Sequence, residues 1–321
     1  MGPAGEAAVI TLVHPTTWRV GVADGVVRDI RQPIPEDGLL SGAVLRMGDE
    51  ESGPVVAMTI EGRMFPRTSP VHLHKSDSFR MALGEPIVVG RTSYGHGEFR
   101  LQRADSFYGP EIWTDEVGTN QLLLMADRRG LKPYLTTAEA QRGVDAALAT
   151  DVSVEGIAML ARDAPVEHAI ANTFGAELHA GHFDGGFADT AAWPALADGS
   201  RLAVIALGDR PRGPLLVCWD RPAAAVSLPG FRLDCDLVRL VVDGSCTVGT
   251  SPFGRLGFRL QQAATPHDWS SPGPQGVKEL WIVADRLAWP PAVEPECRAE
   301  QRVILEQVDD AVRTAVGLVA A

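Results

Sequence analysis

Two imidazoles one residue apart are the first chemistry that the sequence offers. In the segment PVHLHKSDSFRMALGE (70–85), only Leu73 separates His72 from His74. Side chains alternate along a β-strand, so both rings leave the same face. On a face turned into a barrel, two neutral nitrogens converge on one point, which is the beginning of a metal site. On a surface strand the same pair is simply solvated, and the spacing alone leaves both readings open. Arg80 shares the strand parity of His74 and suits the clamping of a substrate carboxylate. A second cluster, HAGHFDGG (179–186), offers His179, His182 and Asp184, but its spacing is loose for one strand and its glycines suggest an exposed loop. There is no GxSxG, phosphate-binding loop or dinucleotide fingerprint, which argues against serine hydrolases, nucleoside-triphosphate enzymes and pyridine-nucleotide dehydrogenases.

The elements that must position these residues are short strands. Runs such as GPVVAMTIEG, SFRMAL, PIVVGRTS, GEFRLQ and NQLLLMADR are apolar or alternating, and Gly, Pro, Asp and Ser punctuate them. That pattern predicts antiparallel strands in a sandwich or barrel. The strands come in two sets. Residues 79–104 lie against 238–263 without a gap, and nine of the 26 positions are identical, where composition alone gives about two. Two flanking blocks extend the match in order: VLRMGDEESGPVV (44–56) faces VIALGDRPRGPLL (204–216), and LLLMADR (122–128) faces LWIVADR (280–286). A duplication with a period near 159 residues follows. Arg80 and Arg100 recur as Arg239 and Arg259, which suggests structural ion-pair partners.

Helical signals are few. Thr136 and Glu139 form a capping box ahead of 136–149, and 163–174 continues a helical connector. In the tail, Ile304, Val308, Val312 and Val316 recur every fourth residue, an apolar stripe that packs on a barrel or on a second subunit. The expected organisation is an N-terminal barrel over 1–135, a helical connector over 136–174, a C-terminal barrel over 175–293 and a C-terminal helix over 294–321.

With 321 residues, 45% of them hydrophobic, the chain has room for two ordinary domains, each with its own core. The 29 basic and 41 acidic residues give a net charge of -12, which repels phosphate backbones and anionic membranes and argues against nucleic acid as a partner. The first residues lack the pattern of a signal peptide, and no run reaches the roughly 18 apolar residues of a membrane span. Cys218, Cys235, Cys246 and Cys297 form no C-x-x-C pair and read as reduced thiols, so a cytoplasmic location is expected.

HLHKSDSFRMALGE, the turn YGHGEF and QRADSFYGPE together resemble the two short motifs of the cupin superfamily. The resemblance runs through both halves, so the chain looks like a bicupin. It implies an all-β fold of two cupin-like (double-stranded β-helix, jelly-roll) barrels, with a metal held by His72, His74 and two further ligands. The usual glutamate position falls at Ser78, a poor ligand, beside Asp77, which a bulge alone would turn inward. The second-motif histidine position falls at Tyr108, with Glu111 three residues on. In the second copy Phe231 and Leu233 replace the histidine pair, and His267 stands in the place of Tyr108. That barrel is expected to bind no metal through this site, to have an apolar interior, and to serve as a structural or dimer-forming unit.

The expectation is a cytoplasmic, metal-dependent bicupin enzyme acting on a small organic acid or related metabolite. Dioxygenase, isomerase, lyase and decarboxylase chemistry all suit such a site, which lies in the N-terminal barrel. His72 and His74, with Asp77, hold a divalent ion (Fe, Mn, Ni or Zn), while Tyr108, Glu111 and Arg80 serve as ligand, proton-transfer and clamping groups. The expected partners are a small-molecule substrate and a second copy in a homodimer, with neither nucleic acid nor membrane. The alternative is a non-catalytic barrel that binds a small molecule, or is purely structural, without metal.

Overall fold

The computed structural model describes residues 42–49, 53–59, 68–69, 71–113, 121–131, 133–135, 138, 142, 182–208 and 211–316. The expected helical connector lies, save for positions 138 and 142, outside the described residues. The first half carries β1 (Gly42–Arg46), β2 (Val55–Thr59), β3 (Thr68–Ser69), β4 (His72–His74), β5 (Ser78–Ala82) and β6 (Ile87–Val89). It continues with β7 (Thr92–Tyr94), β8 (Glu98–Gln102), β9 (Glu111–Trp113), β10 (Gln121–Met125), β11 (Pro133–Leu135) and β12 (His182–Gly186). The second half carries β13 (Arg201–Ala206), β14 (Leu215–Arg221), β15 (Phe231–Arg232) and β16 (Leu237–Val248). Then follow β17 (Ser251–Gly254), β18 (Phe258–Gln261), β19 (Ser270–Val283), β20 (Ala292–Val293) and the helix α1 (Ala299–Val316).

The two halves repeat one strand order. In the first, β1-β2-β10-β5-β8-β12 form a sheet, accompanied by the smaller β3-β9-β6-β7 sheet and the β11-β4 pair. In the second, β13-β14-β19-β16 repeat the order β1-β2-β10-β5, and β18 lies on β16 as β8 lies on β5. The long β16 and β19 each run through what are two strands in the first half. Registers agree as well. Arg80 is opposite Arg100 and Arg239 is opposite Arg259, while His72 bridges Tyr108 as Phe231 bridges His267. Gly90 and Gly249, identical in the repeat, turn with φ of 62° and 57°, where a side chain would be strained.

Period-two alternation decides what each face buries. Phe79, Met81, Phe99, Leu101, Leu122 and Leu124 enter one large core that also takes in Leu216, Leu240, Phe258 and Leu280 of the second half. Phe79 and Phe99 meet across that face at 5.0 Å. The alternate residues of the same strands, Ser78, Arg80, Arg100, Gln102 and Gln121, are buried on the opposite face. Each half also has a smaller buried cluster: Ala82, Ile87, Val89 and Tyr94, beside Tyr108, in the first correspond to Val241, Cys246, Val248 and Phe253 in the second.

Two connections tie the halves together reciprocally. The Asp77 carboxylate accepts from Ala104 N at 2.8 Å and from Gly208 N, in the other half, at 2.9 Å. Asp236 accepts from Ala263 N at 3.0 Å and from Gly48 N at 2.9 Å. In addition, β12 pairs with β8, so a strand late in the chain completes the sheet of the first half. The segment 182–186, expected as a loop, is therefore a strand; its glycines sit where Phe99 and Glu98 come too close for a Cβ. The apolar stripe of α1 is buried as its spacing requires, on β13.

Candidate functional site

The site is built on β4 and the segment that follows β8. His72 exchanges backbone hydrogen bonds with Tyr108 (His72 N to Tyr108 O 3.0 Å; Tyr108 N to His72 O 2.9 Å), which fixes the 105–110 loop against the histidine strand. Asp105, at φ 62°, donates its N–H to His74 O at 2.8 Å and closes that loop. Alternation on β4 then brings His72 and His74 to one buried face, with ring centroids 5.0 Å apart and planes nearly perpendicular. The Tyr108 ring lies 4.5 Å from His72 and 6.0 Å from His74.

A chain of polar contacts continues from the imidazoles. His72 Nε2 is 3.0 Å from Tyr108 Oη, and Arg80 Nη2 donates to the same oxygen at 3.5 Å. Arg80 is ion-paired through Nη1 with Glu111 Oε1, and both side chains are under a tenth exposed. A guanidinium can only donate, so Tyr108 accepts from Arg80, and its own O–H can donate to His72 Nε2 when that nitrogen carries no hydrogen. In that tautomer His72 is a neutral ring with its hydrogen on Nδ1. Burial, and then the nearby Glu111 carboxylate, raise the Tyr108 pKa, so the phenol keeps its proton. Burial works against the charge on Arg80, but Glu111 and Tyr108 outweigh it and hold the guanidinium's pKa above its ordinary value.

Arg100 stands directly across from Arg80 on the neighbouring strand. It donates through Nε to Gln102 Oε1 at 3.1 Å and through Nη1 to Tyr94 Oη at 3.1 Å. Tyr94 in turn donates to Asp184 Oδ1, 2.6 Å away on β12. Burial and the bond to Asp184 push the Tyr94 phenol up to about 12.

Five of the six residues singled out in the sequence, His72, His74, Arg80, Tyr108 and Glu111, therefore come together. Asp77 does not join them. Its two oxygens are taken by the Ala104 and Gly208 amides, and Asp236 does the same work in the half that lacks the histidines. A side chain engaged in this way is a structural tie between halves. Arg100, Tyr94 and Asp184 border the site without belonging to that set. The identity of Arg100 and Arg259 is visible in the repeat, but the pairing of β12 with a strand some eighty residues earlier leaves no local signal.

The second half departs from the expected apolar interior. Phe231 and Leu233 do fill the place of the histidines, both buried, and Phe231 stacks between His267 (4.3 Å) and Trp281 (5.5 Å). Beside them, however, lies a buried ionic cluster: Arg239 Nη2 to Glu279 Oε1 at 2.6 Å and Arg221 Nη1 to Glu279 Oε2 at 3.4 Å. Glu279 occupies the position of Gln121, and Ser270 the position of Glu111, so the partner carboxylate of the repeated arginine has moved, along β19, from the position of β9 to that of β10.

No protein-family model matches the sequence. No curated protein sequence matches it. Among solved structures the chain is similar to oxalate decarboxylase from Bacillus subtilis, at 13% identity and a TM-score of 0.40 over 76% of this chain and 72% of that one. It is also similar to a mutant of salicylate 1,2-dioxygenase from Pseudoaminobacter salicylatoxidans in complex with gentisate, at 13% identity and a TM-score of 0.43 over 79% and 76%. The strand order, met twice in the same register, decides the architecture. The fold is all-β, one strand arrangement repeated in two halves.

A buried H-x-H strand raises the question of a divalent ion, and the donors present can be tested against one. Among the described residues no group of three or more His, Cys, Asp and Glu stands close enough to hold an ion. Asp77 is bound to amides and Glu111 to Arg80, while Ser78, buried beside them, is a weak donor. Two imidazoles remain, next to a guanidinium that opposes a second cation. The donor set does not fit a resident metal ion.

Proposed function

We propose that the N-terminal barrel binds a small organic acid and catalyses proton transfer on it without a metal. The observation that carries this reading is the buried chain His72–Tyr108–Arg80–Glu111, with Arg100 opposite Arg80. Two guanidiniums facing one interior, with Glu111 the buried carboxylate that pairs with one of them, leave a net positive site that suits a carboxylate. Glu111 and Tyr108 hold Arg80 in place to receive it. When the acid binds, the Tyr108 O–H turns from His72 to the oxygen on which negative charge develops, and Nε2 of the neutral His72, freed by that turn, takes a proton from the acid. Isomerase- or lyase-type chemistry follows from that arrangement.

A second reading, the metal-dependent enzyme, is favoured by one observation: both imidazoles lie on the same buried face. It requires Glu111 to leave Arg80 and join them. Calorimetric titration of chelator-treated protein with small mono- and dicarboxylic acids separates the two. Saturable binding that Arg80→Gln weakens at least tenfold supports the metal-free site. Binding that arises only after a divalent ion is added, and that His74→Ala removes, supports the second. Binding of an acid with no proton exchange on it leaves a non-catalytic binding barrel.

A further inference from the structure

The ionic cluster of the second barrel is short of negative charge. Arg221, Arg239 and Arg259 have side chains 0%, 4% and 4% exposed, whereas Glu279, at 1%, is the only comparably buried carboxylate among their ion-pair partners in the described residues. Glu279 is shared between Arg221 and Arg239. Arg259 reaches Asp268 at 3.7 Å, but that carboxylate is 56% exposed and sits at the rim. Arg239 and Arg259 lie directly opposite on paired strands, an arrangement in which like charges repel. Burial of a guanidinium without a full complement of acceptors costs several kcal/mol. Nε and Nη1 of Arg239 and Nε of Arg221 are buried with no acceptor among the described residues.

The neighbours report the same positive field. Burial, then Arg239 and Arg259, push the His267 pKa down to about 2, so this ring cannot carry a further charge. Phe231 stacks against it in the place that the histidine pair takes in the first barrel, which limits a ligand here to a small ion.

We propose that the second barrel is a binding site for a small oxyanion, a carboxylate or an inorganic oxyanion, held between Arg239 and Arg259. Glu279 is the positioning residue that aims Arg239, and Asp268 is the competing carboxylate at the rim. The site is independent of the chemistry in the first barrel. It offsets part of the excess positive charge of three guanidiniums that share one buried carboxylate, and it makes the stability of the second barrel depend on the anion present.

The test uses the full chain in a zwitterionic buffer free of phosphate, sulfate and carboxylates. Sodium formate, acetate, phosphate and sulfate are titrated separately against sodium chloride at matched ionic strength. Two readouts are followed: the melting temperature and the emission of Trp281, over whose ring Arg239 lies at 4.5 Å. The expected result is a saturable change of both with at least one oxyanion and not with chloride. Saturation by formate or acetate alone identifies a carboxylate, and saturation by phosphate or sulfate an inorganic ion. Trp281→Phe removes the emission change and keeps the thermal shift, which ties the signal to this barrel. Arg259→Gln weakens the response about tenfold or more. Because that variant risks misfolding, Asp268→Asn, at an exposed side chain, provides the independent arm: it tightens the oxyanion several-fold. Equal responses to chloride and all oxyanions, or an affinity that Asp268→Asn leaves unchanged, would overturn the proposal.

Discussion

Removing Glu111 tests how the proposed site is held together. Its carboxylate is paired with Arg80, and the two side chains are 4% and 8% exposed. Breaking such a pair from one side leaves a buried charge without its partner, at a cost of about 3–5 kcal/mol. Glu111→Gln strands Arg80 opposite Arg100, so the upper part of that range is expected. Arg80→Met strands Glu111 and also takes a donor from Tyr108, which adds about 1 kcal/mol. The double variant leaves neither charge exposed to the other's absence. It should lose clearly less than the sum of the singles, with a coupling of about 2 kcal/mol or more. Urea unfolding of the four proteins, followed by tryptophan emission and far-ultraviolet circular dichroism, measures each quantity. Additive losses, or single losses below about 1 kcal/mol, would show that Glu111 does not hold Arg80, and the carboxylate clamp would have no basis.

Three further outcomes are expected. Asp77→Ala and Asp236→Ala each remove two amide acceptors, one of them across the halves, and each should cost about 2–4 kcal/mol in urea unfolding; a large loss for one and none for the other would contradict the reciprocal tie. Ile304→Ala, in a fully buried position on α1, should cost about 2–4 kcal/mol, and a loss below about 1 would mean that the helix is not docked on β13. His267 has a folded pKa near 2, against about 6.5 in the unfolded chain, so between those values the unfolded chain binds the proton and stability falls with acidification. The difference in stability between the parent and His267→Gln should therefore shift by up to about 1.4 kcal/mol per pH unit below pH 6.5, and parallel pH profiles would refute it.

Much of this architecture is legible in the residues. The matched blocks carry the registers, because a β-strand repeat preserves parity: once Arg80 aligns with Arg239 and Arg100 with Arg259, the cross-strand pairs follow. The histidine pair faces inward because two residues of equal parity share a face, and the same rule keeps Asp77 away from the side of Ser78. Less legible are the contacts made at long range. The function of Asp77 depends on an amide of Gly208, 131 residues away. The entry of β12 into the first sheet depends on an open edge at β8, which no local pattern records. The ionic interior of the second barrel is concealed in the same way. The loss of the histidines is plain in the repeat, but it is accompanied by a second exchange, Gln121 for Glu279. That exchange keeps a buried carboxylate beside the repeated arginine while moving it from the position of β9 to that of β10.

If the first barrel moves a proton on a small organic acid through its own side chains, proton NMR will show it. The experiment incubates a panel of such acids in deuterium oxide with chelator-treated protein. At least one acid should lose a carbon-bound proton signal with the parent protein, and His72→Asn should abolish that exchange while the acid still binds. Exchange that is absent from every acid until manganese, iron, nickel or zinc is restored would contradict this reading and place the chemistry on a metal held by His72 and His74.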